Sequence, residues 1–434
     1  MQMDNGEHAI DLNHLDEEDA IRSKGCIFRI PDMIKMQNEQ AYKPYRFSFG
    51  PWYYGKTQLM STAREFKEAF IDGLIFRFPN PAAKFKELEE VIKGAHSKAK
   101  EYYEGEDVYD LEGDQDILEG VKDADKEKFE KILLLDGCFI IELFRKFAGE
   151  VARHEDERVL FSKGMIHVLY HDLFLLENQI PWFVLELLFD KTRVSESENT
   201  LIGLAIRFFG SALSRDQHHE MLADQLVSSG SRIVHLIDLA RRYLGYSSES
   251  GVDVLQLQCR NTIPSATRLK EAGVKFKKVK SSRKILDVRF NKDEGVLEIP
   301  YLLINPSTET IFRNLISFEQ CSSCITRVTC YAMLLDCLVD NSDDVDLMSR
   351  VGIFDNWLNP EEAANFLSRM RNGTSTDVFF YAQLCEDVNA YCLRWWPKWR
   401  ASLIHNYFTK PWAIVSVIFA IIVLLFTIMQ VFYK

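Results

Sequence analysis

The sequence predicts a mostly α-helical globular head containing one small β-hairpin element, followed by a single C-terminal transmembrane helix. Three observations carry this. Apolar residues recur at helical spacing through most of the first 410 positions. Strand-like alternation around a turn is concentrated near Ile285–Ile299. The run Trp412 to Tyr433 then holds no charged residue over 22 positions. At about 1.5 Å per residue it is long enough to cross a hydrocarbon core of roughly 30 Å. Ser416 and Thr427 can bond their own helix carbonyls, and Gln430 lies near the end, within reach of the interface.

Composition narrows the function classes. With 434 residues and 47% apolar content the chain has ample material for a large core. A formal charge of −12 argues against nucleic-acid binding, which needs a positive surface to displace phosphate counterions. Nine scattered cysteines, an odd number in a long chain, do not form the dense even framework of a secreted domain, so reduced thiols are expected.

Residues 1–25 begin with a cluster of Asp and Glu and no apolar h-region, which predicts a disordered acidic arm and no cleavable signal. The head is expected over residues 26–410. It opens with an extended, turn-rich segment, Cys26 to Gly55, where Pro31, Pro44 and Pro51 each bias the preceding residue away from helix. In its sub-run Phe47 to Gly55 four aromatics surround a Gly-Pro turn and read as a core plug. Phe66, Ala69, Phe70, Gly73 and Leu74 form the stripe of a helix over Thr57 to Phe76, stopped before Pro79. Glu101 to Glu130 carries 13 acidic residues against three lysines and is read as a solvated linker. Its DLEGDQD lacks the closing Glu of a calcium loop.

Lys131 to Phe147 is apolar on nearly every face except at Asp136, Glu142, Arg145 and Lys146, the pattern of a central helix. Val159 to Phe189 follows, broken at Pro181, whose ring suits the first turn of a new helix. Two apolar helices therefore meet at Glu177, Asn178 and Gln179. Buried polar side chains need partners, and these are expected to bond the loose amides and carbonyls of the two helix ends. Glu177 with His171 and Asp172 is the sharper, acid–base alternative. His167 and His171 share a helix face at metal-ligand spacing, yet no HExxH pattern or third ligand accompanies them, so no metal is assigned.

Thr200 to Leu213 and Arg232 to Leu244 read as amphipathic helices joined by a polar stretch, Ser214 to Gly230, with His218 and His219 solvated. Ile285 to Phe290 and Val296 to Ile299 make the hairpin. Just before it, Lys275, Lys277, Lys278, Lys280, Arg283 and Lys284 put six basic residues into ten positions. A solvated loop is the plain reading; contact with an anionic leaflet is the functional one, at about 1 kcal/mol per cation. Asn359-Pro360-Glu361-Glu362 is a helix start. Cys321-x-x-Cys324 has no second pair and is expected inside a helix as structural thiols. Asn372-Gly373-Thr374 fits the glycosylation sequon, which matters only for a head outside the cytosol.

The blocks IPDMIKMQNEQAYKPYRFSFGPWYYG, LLLDGCFIIELF, DLFLLENQIPWFVL, ATRLKEAGVKF, LEIPYLLI, FRNLISFEQ and WPKWRASLIHNYFTKPWAIVS resemble, in order, those of the plant family called domain of unknown function 247, also labelled UPF0481. Where that family usually places histidines after the Gly-Pro turn, Tyr53 and Tyr54 stand here. The resemblance implies a plant protein, a helical head and a single C-terminal span. It also implies a link, for some grass members, to self-incompatibility loci acting in pollen. It implies no established catalytic activity.

The chain contains no phosphate-binding loop, nucleophile elbow, dinucleotide glycine pattern or kinase signature. The expectation is a membrane-anchored, non-enzymatic recognition protein with a protein partner, membrane lipids around its C-terminal helix and no cofactor. In the family's grass setting it is a male determinant of self-incompatibility signalling. The alternative is a membrane-bound hydrolase or transferase with a polar site around Glu177. Trp395, Trp396, Trp399, Arg400, Lys410 and Trp412 form an aromatic and basic collar at the entrance to the span, residues 411–434. Basic residues precede the span and only Lys434 follows, which places the head in the cytosol.

Overall fold

In the computed structural model an extended strap, residues 26–54, crosses a helical body. It is interrupted by a short helix α1 (Asp32–Lys35) and a 3-10 turn at Glu39–Tyr42. The structure describes residues 26–394 apart from 55–59, 104–120, 194–198, 214–218, 229–231, 246–261, 280–283, 323, 371–373, 375 and 377, together with 419, 422–423 and 425–430.

The body begins with α2 (Met60–Ile75) and α3 (Pro81–Lys100), the latter started by Pro81 at N1 and by the Asn80 side chain accepting from Ala83 N. Helix α4 (Val121–Ala148) is the central one. It packs against α2, α3, α6 (Trp182–Thr192) and α7 (Leu201–Leu213), with α5 (Lys163–Leu173) between it and α6 in the chain. Its buried Phe129, Leu133, Phe139 and Phe144 each contribute roughly 1.5–3 kcal/mol of burial. The four polar residues of its apolar run are also buried, and each has a partner. Asp136 bonds Lys67, Glu142 bonds Arg77, Arg145 Nη1 donates to Thr192 Oγ1 at 3.0 Å, and Lys146 meets Glu157.

The second half contains α8 (His219–Ser228), α9 (Leu236–Gly245), α10 (Ala266–Glu271), β1 (Lys275–Lys278), β2 (Arg289–Asn291), β3 (Val296–Ile299), β4 (Leu302–Ile304), α11 (Pro306–Cys321), α12 (Arg327–Leu338), α13 (Ser342–Val351), β5 (Phe354–Asn356), α14 (Pro360–Arg369) and α15 (Ala382–Cys392). Helix α11 packs on α5, α7, α9, α12 and the strap's 3-10 turn, and so joins the two halves in one continuous core. Asn305, Asn341 and Asn359 cap α11, α13 and α14.

Several expectations change. Val121, inside the expected acidic linker, already begins α4, and Glu130 at the linker's expected end is buried beside His96, 3.1 Å away; residues 104–120 lie outside the described residues. The stretch 214–230 is no plain linker, since α8 occupies part of it. The hairpin forms in antiparallel register, Arg289 opposite Glu298, but its first strand is short, and Ile285 to Val288 run up to it outside any strand. Lys275–Lys278 is a strand and not a loop: β1 pairs in parallel with β3, giving the order β1-β3-β2. A second, unexpected pair joins β4 and β5 in parallel. Cys321 is the last residue of α11 and Cys324 lies beyond it, so the C-x-x-C leaves the helix instead of sitting inside it.

Among the described residues no helix is long and apolar enough to cross a membrane. Most of 411–434, the collar from Trp395 to Trp412, and the arm 1–25 lie outside the described residues. Phe419, Ile422, Val423 and 425–430 are helical and exposed.

Candidate functional site

The connector between α5 and α6, residues 174–181, holds the expected polar cluster. Ser162 caps the start of α5, and Pro181 with φ −60° sets the start of α6, where Trp182 N donates to Val234 O at 2.8 Å. Between these ends Glu177, Asn178 and Gln179 are all buried. Burial without partners would cost about 1–3 kcal/mol per polar group, so their bonds decide what the connector does.

The Gln179 amide donates to Leu173 O at 2.6 Å, the last carbonyl of α5, and to Leu175 O of the connector at 2.9 Å. Asn178 turns both ways. Its Nδ2 donates to Asp172 O at 2.8 Å and to Phe47 O at 2.9 Å, while Oδ1 accepts from Phe49 N at 2.7 Å. Toward the strap the side-chain amide thus stands in for a neighbouring strand. Glu177 serves neither helix end. Oε1 accepts from Ile30 N and from Lys35 Nζ, each at 2.6 Å, and Oε2 accepts from the Tyr53 hydroxyl at 2.8 Å. Burial, then the charge of Glu177, push the Tyr53 phenol well above its ordinary range, so it remains a donor.

Two further carboxylates complete the grip. Asp172 accepts from Tyr45 N (2.7 Å), Arg46 N (2.9 Å) and Phe47 N (2.7 Å). His171 lies with Nδ1 2.9 Å from the same carboxylate and Nε2 3.0 Å from Gln40 O. Both its ring nitrogens face acceptors, and Tyr45 stacks on the ring at 3.6 Å. Asp136 accepts from Gly50 N at 2.8 Å and from Lys67, which also reaches Ser48 O. Burial raises the Asp136 carboxyl, opposed by Lys67. At Gly50, φ is +71° and an added Cβ would stand 2.6 Å from Gln179 O, so the strap touches the connector backbone to backbone.

Six strap amides, those of Ile30, Tyr45, Arg46, Phe47, Phe49 and Gly50, therefore end on side-chain oxygens of the body. Both oxygens of Glu177 and of Asp172 accept from strap donors. The arrangement is a clamp on an extended peptide segment. His167, four residues before His171, has Nδ1 3.4 Å from Ser307 Oγ, and no group of three metal-ligating side chains occurs among the described residues.

A profile of the plant family described as "plant protein of unknown function", domain of unknown function 247, matches residues 27–426. The chain belongs to this family. Two Arabidopsis thaliana members are similar along nearly its whole length. The UPF0481 protein At3g47200 is 27% identical, over 95% of this chain and 87% of its own. A second UPF0481 protein of the same plant, At3g02645, is 22% identical over 96% of this chain and 92% of its own. No solved structure matches the chain. The domain-of-unknown-function-247 block LLENQIP is thus, in this chain, the clamp itself, and the block around the Gly-Pro turn is the segment it holds. Tyr53, just after the Gly-Pro turn, supplies a donor to Glu177.

The basic residues lie elsewhere. Lys275, Lys277 and Lys278 are exposed on β1, Lys277 pairs with Glu298 at 2.8 Å, and Lys278 lies over the Tyr301 ring. Lys284 is half-buried, and its ammonium is pushed down to about 8, first by burial and then by Arg327. Lys280 and Arg283 lie outside the described residues. Sequence reasoning missed Asp136, Lys67 and Asn314, whose Oδ1 accepts from Leu176 N while Nδ2 donates to Ala41 O. A signal for Asp136 was present, a lone carboxylate in LLLDGCFII.

Proposed function

We propose that this chain is a membrane-anchored recognition protein whose helical head engages a protein partner while residues 411–434 fix it at a bilayer, with the head in the cytosol. One observation carries the reading: 22 uncharged positions follow directly on a collar of tryptophans and basic residues. The clamp supports the non-enzymatic half, because its carboxylates are consumed in holding the strap. Within the family's grass setting the reading extends to a male, pollen-side determinant of self-incompatibility.

Alkaline carbonate extraction of native membranes, with protease protection of sealed microsomes, tests the anchor. The chain should stay in the pellet and the head should be digested without detergent; release by carbonate, or a head protected until detergent is added, refutes the respective half. Proximity labelling in the native tissue, with and without the residues after Lys410, then tests the partner. A set of labelled proteins that ignores truncation sinks the idea that the anchor places the head.

A further inference from the structure

Where the strap crosses α11, the two meet around a small cavity. Helix α11 turns Arg313, Ile316, Ser317 and Gln320 toward it, and steps of three, four and seven from the first of these lie on one helix face. The strap contributes Ile34 and Tyr42. Direct bonds flank this seam: Asn38 Nδ2 donates to Glu309 Oε1 and Asn314 Nδ2 to Ala41 O, each at 2.8 Å.

Ser317 is the exception at the seam. It is 1% exposed, and among the described residues its Oγ has no hydrogen-bond partner. A buried hydroxyl in that position opposes folding unless something else bonds it. Tyr42 brings a second hydroxyl to the same space. Burial raises its phenol above the ordinary range, and Ser317 and Arg313 oppose the rise, so the two hydroxyls are neighbours that do not stand in bonding geometry. Arg313 is the third polar wall. Its Nε donates to Glu309 at 2.7 Å and its Nη1 to Gln37 Oε1 at 3.4 Å.

Size and charge select what can complete this set. The cavity measures about 10 Å³, which is room for a single water. A carboxylate or phosphate is too large, and Glu309 already meets the charge that would draw a monatomic anion to Arg313. A buried water needs two to four polar partners, and Ser317, Tyr42 and Arg313 supply that number.

We propose that this cavity is a binding site for one ordered water, which bridges Tyr42 of the strap to Ser317 and Arg313 of α11. The turn at Glu39–Tyr42 is then a water-mediated joint, unlike the side-chain oxygens that hold the amides of residues 45–50.

Crystals of the full chain in detergent, diffracting well enough to show waters, should hold one peak within about 2.5–3.2 Å of both Ser317 Oγ and the Tyr42 hydroxyl. A space without density, or a peak with anomalous signal when the crystals are grown in bromide, overturns the proposal. Urea denaturation of the full chain gives an independent readout through a double-mutant cycle. Ser317→Ala and Tyr42→Phe should each lower the folded-to-unfolded ratio about fivefold, and together by much less than the roughly twenty-fivefold of independent sites, because one water serves both. A Ser317→Ala chain as stable as the parent or more so, as expected of a dry space, or two losses that simply add, refutes the bridging water.

Discussion

Replacing Asn178 by Ala should unfasten the strap at its centre. The substitution removes three hydrogen bonds at once: Phe49 N loses its acceptor, and Phe47 O and Asp172 O lose their donor. Phe47 and Phe49 are 0% and 1% exposed, so water cannot replace Asn178 without opening the core. At about 1–3 kcal/mol for each stranded buried group the loss should total roughly 3–9 kcal/mol. That is comparable with the whole stability of an ordinary domain, about 5–15 kcal/mol. Urea denaturation followed by far-ultraviolet circular dichroism gives the total, and hydrogen exchange gives the place, since the amides of Tyr45 to Gly50 should lose protection before those of α4. Arg64→Ala, which breaks an exposed pair with Glu68, should cost about 0.5 kcal/mol or less and serves as control. A variant of Asn178 within about 0.5 kcal/mol of the parent, with residues 47 and 49 still protected, would refute the clamp.

Three other outcomes follow from the same contacts. Gly50→Ala combines a left-handed φ with a contact 2.6 Å from Gln179 O and should cost at least about 2 kcal/mol, read from the shift in denaturation midpoint. Tyr53→Phe leaves one oxygen of Glu177 without its phenol donor and should cost about 1–2 kcal/mol, whereas Tyr53→His, which keeps a donor, should recover most of it in thermal melts. Glu319, buried near Arg241, has its carboxyl raised by burial from 4.5 to about 7. Its protonated form therefore favours the folded state, a contribution complete below pH 4.5 and lost as pH rises through 7. Glu319→Gln should flatten the stability–pH profile in that window, and an unaltered slope would exclude Glu319 as its source.

How much of this was written in the sequence differs by element. Helix α4 was legible because its apolar run is long and unbroken, and the start of α14 because Asn359, Pro360 and two glutamates announce it. β1 was not, since KFKK offers one half-buried side chain among three lysines, and its strand state comes from pairing with β3. Helix α8 was hidden by weak periodicity in a polar stretch. At the clamp the residue types were readable and their targets were not. Glu177 adjoins two helix ends in sequence, yet its donors come from Ile30, Lys35 and Tyr53, more than 120 positions away, and no local pattern encodes such a distance. Asp136 and Asn314 join the same network from α4 and α11 for the same reason.

The distance between strap and clamp also has a temporal side. Ile30 emerges from the ribosome 147 residues before Glu177, an interval of roughly 7–30 s at ordinary elongation rates. Throughout that interval the strap's aromatic residues have no finished surface to enter, and its amides are satisfied by water. Docking of the strap must follow completion of α4, α5 and the connector, which makes it a late, long-range step in the birth of the protein. A nascent chain stalled before Leu173 should therefore expose Phe47, Phe49 and Trp52 to chaperones, and one released beyond α6 should hide them.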